Sequence, residues 1–534
     1  MSEKRPSVRS TLRKYGENTS AHGIPRAVTT KSLPRRLFWT CLFLASFSYF
    51  LYQAQTLVNK YLVYPVNTDV KIEWSELEFP AVTICNANPL RYRELIKRGS
   101  AAFQNAGFIP KPQPQGQNNP NSNGSTPATG STTVATAPTT TQNSTSDEDD
   151  DDYDYDGYHG DFEMVNSFMG LLVQLTASMR QSLGHQGRDF IQECQFDGRT
   201  CSHRNFTTFE DSTYGNCFTF NKDKDGEVLH TATSAGPLHG LSLILYIEQD
   251  EYIPAIAEKA GARVVIHNPY VFPFPESEGF DAAPGFLTSA GLRLTSITRL
   301  GGVYGNCTNG QGRHLLYPQM YSQQNCLATC HQEHMVEICG CADVTFLQPN
   351  GTEFCNSSKS VVDCEEKVKQ RLGNGNLTCQ CPISCMDRIY RKAIGLSEWP
   401  ADSYVSTVLN KLKTKRRGPG TGILDDRDEF KKNLLKLNIY YEALNYETIT
   451  ESPAYEVENL LGDLGGQLGL WVGMSCLSAM ELLEFLVDIA IILWKKMSNR
   501  EKTTSRNNVV NVAETGKIGT SNGHTIPIHM TEVM

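Results

Sequence analysis

The stretch 460–494, LLGDLGGQLGLWVGMSCLSAMELLEFLVDIAIILW, is apolar enough for a membrane but keeps carboxylates that hydrocarbon penalises. Glu481, Glu484 and Asp488 are spaced three and four residues apart. In a helix they therefore lie within an arc of roughly 60°. Charged groups inside a membrane almost always face a bundle interior or water. Because one helix cannot enclose water, the stripe predicts several facing copies. Snorkelling to the cytoplasmic surface is the alternative, and it explains Asp488 more easily than Glu481.

Five glycines precede these carboxylates, and they are Gly462, Gly465, Gly466, Gly469 and Gly473. Their spacing lets helix backbones approach closely, and each weakens a helix by about 1 kcal/mol relative to alanine. The stretch Gly473-Met474-Ser475 therefore predicts a helix break whose carbonyls turn toward an axis, which is tolerated where the backbone lines water. Carbonyls above a ring of carboxylates form a cation filter, so the sequence predicts a cation pore.

Charge predicts how the chain crosses the membrane. Residues 1–36 carry a net charge of +7 and residues 495–534 a net charge of +3, whereas the whole chain carries −9. A net charge of −9 does not favour binding to a negatively charged nucleic acid. The segments 37–58 and 456–494 are predicted to span the lipid bilayer, with a buried soluble helix as the alternative for each. Basic ends indicate that both the amino-terminal tail (1–36) and the carboxyl-terminal tail (495–534) are cytoplasmic.

Cysteines and glycosylation sequons predict that residues 59–455 are extracellular. Fourteen of the sixteen cysteines fall between Cys85 and Cys385, which is typical of a disulfide framework in an oxidising compartment. Zinc binding by the closely spaced cysteines is the alternative, but no histidine spacing supports it. The sequons in this region are Asn123, Asn143, Asn205, Asn306, Asn350, Asn356 and Asn376. The expected location is the plasma membrane, crossed twice.

The extracellular part reads as mixed α and β. Strand-like runs begin near residues 78, 241, 263, 292 and 437, and apolar spacing predicts one helix over 162–183. The Pro/Thr/Asn-rich and then acidic segment 110–161 predicts a disordered loop. Its acidic run at 147–156 is expected to be solvated, with attraction of a cationic ligand as the alternative. The sequence shows no internal repeat.

Several motifs resemble the degenerin/epithelial sodium channel superfamily over nearly the whole chain outside the tails and the low-complexity loop. They are His22-Gly23, FPAVTICN from Phe79, YGNCFTF from Tyr214, GLSLILYIEQDEYIP from Gly240, APGF from Ala283, ICGCAD from Ile338 and LLGDLGGQLGLWVGMS from Leu460. The resemblance implies an α+β ectodomain shaped like a clenched hand, flanked by two membrane helices, in a trimeric channel. It implies sodium as the permeant ion, amiloride as a pore blocker, no metal or other cofactor and no enzymatic activity.

The resemblance also assigns roles within the membrane part. Gly473, Met474 and Ser475 match the selectivity filter, and Glu481 and Glu484 match the acids below it. Gly462 matches the gate position that is sensitive to bulky substitutions, and Asp463 the acid at the outer mouth; Gly466, Gly469 and Asp488 are expected to line the same pore. His22 and Gly23 match a gating motif in a re-entrant loop.

Matching cysteine order to the family implies seven disulfides: Cys85–Cys217, Cys194–Cys201, Cys307–Cys385, Cys326–Cys381, Cys330–Cys379, Cys339–Cys364 and Cys341–Cys355. The set within 307–385 would make a rigid thumb. Tyr304 matches an aromatic residue that couples this thumb to the first membrane helix, with Tyr64 as its expected partner.

The stimulus is predicted from the same resemblance. The wording LGDLGGQLGLWVGMS is similar to FMRFamide-type peptide-gated sodium channels of invertebrates, so an extracellular neuropeptide is the expected ligand and a homotrimer, or a heterotrimer, the expected assembly. Proton gating is the alternative, although residues 61–78 lack the histidine pair of acid-sensing members. An ATP-gated trimeric cation channel shares the topology, but the chain shows no lysine cluster for phosphates and has fourteen rather than ten ectodomain cysteines. An ectoenzyme or an adhesion receptor would leave the carboxylate stripe unexplained.

Overall fold

The computed structural model describes residues 7–98, 101–110, 164–165, 167–224, 228–254, 256–356, 358–415, 427–475, 478, 480–495 and 497. They divide into two compact units, one formed by Met1–Asn67 with Pro453–Met534 and the other by Thr68–Ser452. The predicted loop at 111–161, the sequons Asn123 and Asn143, and most of the predicted carboxyl-terminal tail lie outside the described residues. We call the first unit the membrane unit and the second the ectodomain.

The helices of the membrane unit are Val8–Asn18, Ile24–Thr29, Leu33–Leu62 and Val457–Val472, and residues 480–495 are helical as well. Ser7 and Ser10 cap the first helix reciprocally. Within the described part of the chain, Leu33–Leu62 is the one helix long and apolar enough to cross a membrane. It contains the predicted span 37–58 and extends it by one turn at each end. The second predicted span does not meet that test as one continuous helix.

Two large sheets build the ectodomain. Seven strands of the eight-stranded sheet lie in the order Val66–Trp74, Asn445–Pro453, Phe286–Thr298, Leu434–Tyr441, Leu241–Tyr246, Ile191–Phe196 and Arg199–Cys201. The eighth strand, Met386–Glu398, pairs antiparallel with Phe286–Thr298 over its whole length. The five-stranded sheet has the order Phe280–Ala282, Ala262–His267, Ala81–Asn86, Gly215–Phe220 and Phe206–Asp211.

The smaller elements connect these sheets. Two short strand pairs are Leu77–Glu78 with Thr231–Ala232 and Cys307–Thr308 with Ile383–Ser384. The ectodomain α-helices with defined bounds are Tyr92–Arg98, Ala101–Asn105, Ala177–Leu183, Gly187–Phe190, Gln323–Cys339, Lys359–Gly373, Val405–Lys415 and Arg427–Asn433. The 3-10 helices are His203–Asn205, Pro237–His239, Gln249–Glu251 and Asp402–Tyr404.

The strand predictions are confirmed, and the core explains them. Ala81–Asn86 is buried at every position because it lies between two neighbouring strands of its sheet. Leu434–Tyr441 alternates buried and half-buried residues along most of its length, as expected for a strand with one face on the core. The main core joins both sheets through such residues as Phe79, Leu243 and Ile439. The α+β class is therefore correct.

The prediction of one helix over 162–183 is wrong. Residues 167–172 are helical, residues 173–175 form a turn and bend, and a new helix runs from Ala177 to Leu183. Thr176 starts that helix because its side chain accepts a hydrogen bond from the Met179 N–H. Threonine favours such caps over helix interiors. The apolar spacing of the segment continues across Thr176 and gave no indication of this helix start. Met169, Leu172 and Leu183 are nevertheless buried.

Seven disulfides staple the ectodomain. They join Cys85–Cys217, Cys194–Cys201, Cys307–Cys385, Cys326–Cys381, Cys330–Cys379, Cys339–Cys364 and Cys341–Cys355. These are the pairs that the resemblance implies. Five of them lie within 307–385, where they tie the helix Gln323–Cys339 both to the helix Lys359–Gly373 and to the segment that follows that helix. Cross-links of this kind restrict the unfolded chain and stiffen a region with a small core.

Candidate functional site

The second predicted membrane segment is interrupted where the sequence predicts a break. The helix Val457–Val472 ends at Gly473, which has φ +65° and donates its N–H to the Gly469 carbonyl at 3.1 Å. Such a left-handed residue ends a helix with little strain only when it lacks a side chain. Residues 473–475 are not helical, and helical structure is described again at Ser478 and from 480 to 495. The Gly-Met-Ser stretch therefore lies in the break.

The amino-terminal segment packs against this break. The His22 N–H donates to the Val472 carbonyl at 3.1 Å. A Cβ atom added to Gly473 would lie 2.2 Å from His22 Nδ1, so the imidazole ring covers the glycine directly. Gly23 has φ +91° and is the N-cap of the short helix Ile24–Thr29, a conformation that glycine adopts at little cost. Each residue of the predicted His-Gly motif therefore has its own structural role: His22 covers Gly473, and Gly23 begins the helix Ile24–Thr29.

Ser20 holds the segment to the helix beyond the break. Its N–H donates to Glu481 Oε2 at 3.1 Å and its hydroxyl to the same oxygen at 3.2 Å. The Ser20 and Ser478 hydroxyls are also hydrogen-bonded to each other, and Ser478 Oγ accepts the Ser475 N–H at 3.1 Å. Ser20 is therefore hydrogen-bonded both to Ser478, just beyond the break, and to Glu481, the first carboxylate of the predicted pore. The sequence analysis did not predict a role for Ser20 or Ser478. The one sequence feature that points to them is a hydroxyl side chain close to the His-Gly motif and to the Gly-Met-Ser stretch.

The amino-terminal helix completes this arrangement. The Tyr15 ring stacks on the Phe485 ring with centroids 4.6 Å apart. Gly16 is buried, and a Cβ added to it would lie 2.9 Å from Val28. We call Tyr15–Gly23, which contains the motif of the predicted re-entrant loop, the re-entrant segment. It packs on the second predicted membrane segment.

The three carboxylates of the stripe share one face but differ in their contacts. Glu481, Glu484 and Asp488 line one groove on the helix together with apolar side chains. Glu481 is half-buried under Ser20, whereas Glu484 and Asp488 are exposed in the single chain. The common face agrees with the arc predicted from their spacing, while the capture of Glu481 by the re-entrant segment is new.

In the helix Val457–Val472, the predicted outer-mouth acid Asp463 has a defined partner. The Tyr455 hydroxyl donates to Asp463 Oδ2 at 2.6 Å, and the Lys60 ammonium lies over the Tyr455 ring, 4.5 Å from its centroid. A Cβ added to Gly462 or Gly466 would have no atom within 4 Å in this chain, and one on Gly469 would meet only Met474 O at 3.8 Å. The glycine face of Val457–Val472 is therefore open in one subunit.

Two predicted residues, Tyr64 and Tyr304, belong to different compact units. Tyr64 has φ +49° and its ring lies 5.6 Å from that of Tyr61. Their coupling remains a prediction. The five described sequons, Asn205, Asn306, Asn350, Asn356 and Asn376, are all exposed on the ectodomain.

Comparisons with known proteins identify the family of the chain. A family model described as amiloride-sensitive sodium channel matches residues 15–485. The chain is 30% identical to the epithelial sodium channel subunit alpha of Cavia porcellus, covering 91% of this chain and 77% of that protein. It is 31% identical to subunit alpha of Xenopus laevis, covering 93% and 86%. It is 28% identical to subunit gamma of Pelodiscus sinensis, covering 92% and 82%.

The matched family and the relatives are ion channel proteins and not enzymes, so the chain is an ion channel subunit. The family match covers most of the chain, and the chain therefore belongs to the amiloride-sensitive sodium channel family of the degenerin/epithelial sodium channel superfamily. It is a sodium channel of the plasma membrane that needs no cofactor, and Na⁺ is its permeant ion. The resemblance to this superfamily is thus confirmed. The relatives above are epithelial sodium channel subunits, so peptide gating stays a prediction.

Proposed function

We propose that the chain forms a trimeric, sodium-selective pore with Gly473, Met474 and Ser475 as its filter and with Glu481, Glu484 and Asp488 below. The observation that carries this proposal is the helix break at Gly473, closed on one side by His22 and tied to Glu481 through Ser20. A break braced in this way can present backbone carbonyls to an axis without fraying. Carbonyl and carboxylate rings are what a cation filter requires.

The open glycine face supports assembly from several copies. Close backbone approach between helices needs small residues at the contact, and Gly462 and Gly466 leave that space unfilled in one chain. A homotrimer is the simplest arrangement. A heterotrimer is the alternative, because the relatives are named as alpha, beta and gamma subunits.

The proposed topology places both termini in the cytoplasm and Thr68–Ser452 outside the cell. It is supported by the basic ends of the chain and by the exposed sequons. It is also supported by the disulfides, all of which lie within the ectodomain.

We infer that an extracellular FMRFamide-type neuropeptide opens the channel and that amiloride blocks it. The support is the resemblance of residues 460–475 to peptide-gated members. A proton gate is the second candidate, and one observation favours it: burial raises the pKa of Asp211 in the ectodomain to about 6. A carboxylate with such a pKa changes charge at mildly acidic pH without any histidine.

Two-electrode recording from cells that express this chain alone tests the proposal. FMRFamide-type peptides are applied at neutral pH and are followed by an acid step, each with and without amiloride. An amiloride-sensitive sodium current evoked by peptide supports peptide gating in a homomer. Current with acid alone refutes peptide gating and supports the carboxylate gate. If neither peptide nor acid evokes a current, a bulky substitution at Gly462 is tested. A current in that variant would support the pore assignment and would mean that the stimulus or a partner subunit has still to be identified.

A further inference from the structure

A cavity of about 1050 Å³ lies within the ectodomain. Its walls come from residues 169–180, the end of the strand Phe206–Asp211, the loop 272–277, and thumb residues between 317 and 348. Sites for small ligands usually measure roughly 300–1,000 Å³ and combine apolar walls with a few convergent polar groups. We call this space the thumb cavity.

An aromatic cluster forms one wall of the thumb cavity. The Phe272 and Tyr317 rings stack with centroids 4.2 Å apart, and Phe209 lies edge-on to Phe272 at 5.2 Å. Phe274 meets the Tyr317 ring edge at 5.3 Å. Tyr317 is buried, whereas the three phenylalanines are only half-buried. Their uncovered surface offers contact to an apolar or aromatic group, and ring faces also attract cations.

The charged groups of the thumb cavity leave a surplus of negative charge. Arg180, its one arginine or lysine within the described chain, is paired with Glu210, and the His331 ring is hydrogen-bonded to Asp343. Two further lining carboxylates, Asp211 and Glu276, have no ion pair among the described residues. A cation entering the cavity therefore meets two carboxylates that are not held in an ion pair within the described chain.

The surroundings of these two carboxylates make their charge costly. Asp211 accepts the N–H groups of Thr213 and Tyr214, each at 3.0 Å. Burial outweighs these bonds and raises its pKa, with Glu276 and Glu210 adding to the rise. Glu276 is exposed to solvent, but the protein atoms around its carboxylate desolvate it enough to raise its pKa, with Asp343 adding to the rise. A hydrogen bond to Thr213 and the charge of Lys369 lower the pKa of Glu276. A bound cation would relieve this cost, which is typical of functional carboxylates.

Gln319 adds an independent observation. The residue lines the thumb cavity, and its Oε1 atom is buried without a hydrogen-bond partner among the described residues. Buried acceptors are almost always paired in folded proteins. An N–H donor of a bound molecule would satisfy this oxygen.

We propose that the thumb cavity recognises a ligand that carries a cationic group close to an aromatic ring and an amide. Asp211 and Glu276 bind the cation, the phenylalanine wall takes the ring, and Gln319 Oε1 accepts an amide N–H. A short amidated peptide containing arginine and phenylalanine has this chemistry. The inference rests on the proposed ligand gating and locates its site.

The test pairs channel variants with altered ligands. The probes are Phe-Met-Arg-Phe-NH₂ and its analogue with citrulline in place of arginine, which keeps the shape but removes the charge. The variants are Glu276→Gln and Asp211→Asn. The matched control is Glu333→Gln, which removes an exposed charge from the helix Gln323–Cys339 outside the cavity.

The expected result is a rise of about 10-fold or more in the half-activating peptide concentration for Glu276→Gln and Asp211→Asn, with no change for Glu333→Gln. The citrulline analogue should lose the same factor on the wild type and much less on the two variants, because the charge that it lacks has no partner there. Surface labelling checks folding, since Asp211 also caps a turn. Glu276 lies in an exposed loop position and keeps the test decisive if Asp211→Asn does not reach the surface.

Equal half-activating concentrations in wild type and Glu276→Gln, with peptide current intact, would overturn the cavity assignment and leave peptide gating standing. If the wild type gives no peptide current, peptide gating fails, and binding of a fluorescent peptide to the purified full-length channel decides the cavity. Saturable binding that weakens in Glu276→Gln supports the site. Binding that is absent, or equal in that variant, refutes it.

Discussion

Replacing Gly473 by alanine tests whether the re-entrant segment braces the filter. Gly473 has φ +65°, and a side chain in this left-handed region costs about 1–2 kcal/mol. The added Cβ would also lie 2.2 Å from His22 Nδ1, so the imidazole must move. If the His22 backbone shifts with its ring, the hydrogen bond from the His22 main-chain N–H to the Val472 carbonyl, worth about 1 kcal/mol, is lost as well. The sum is about 2–3 kcal/mol per subunit. It shifts the equilibrium away from the braced conformation of the predicted filter by a factor of roughly 30–150.

We expect Gly473→Ala to reach the cell surface but to lose most of its current and its sodium selectivity. The assay is surface labelling combined with reversal potentials in sodium and potassium solutions. Gly395→Ala is the control for the substitution itself, because a Cβ there has no atom within 4 Å. His22→Ala combined with Gly473→Ala should be less impaired than the sum of the single variants, since the clash disappears with the ring. Wild-type reversal potential and current in Gly473→Ala would refute the bracing.

Three further predictions concern the pore, the ligand site and folding. Glu481→Ala with Glu484→Ala should weaken monovalent selectivity, and Ser20→Ala should reproduce part of the loss because it removes the hydroxyl that bonds Glu481 and Ser478 and leaves only the main-chain N–H on Glu481; unchanged permeability ratios in both would count against the predicted filter region. Because the pKa of Asp211 is raised to about 6, its charge is lost as pH falls through that value. Peptide affinity should therefore be full above pH 7 and decline below about pH 6, and a dose–response series in Asp211→Asn should show a weaker decline. Gly215→Ala should retain the chain inside the cell, because its Cβ would lie 2.1 Å from the Pro89 carbonyl at φ +68°; normal surface labelling would contradict this.

Local patterns determined much of the fold. The predicted strands appear in both large sheets, because alternating or continuous apolar runs bounded by turn residues report burial directly. The first membrane helix followed from length and lack of charge. The break at Gly473 was predictable too, since clustered glycines just before polar residues leave a helix weak at that point. The disulfide pairs were different: spacing left them open, and only the resemblance to a known family implied them.

Tertiary structure alone decided the contacts that give the site its meaning. The Ser20–Ser478 bond joins residues 458 positions apart, and no local period relates them. The spacing of the acidic stripe put Glu481, Glu484 and Asp488 on one face, but only packing showed that Glu481 is held by the re-entrant segment. The thumb cavity likewise brings together Phe209, Phe272 and Tyr317 from separate elements. Periodicity records which face of an element is buried, whereas the partner on that face depends on how the whole chain folds.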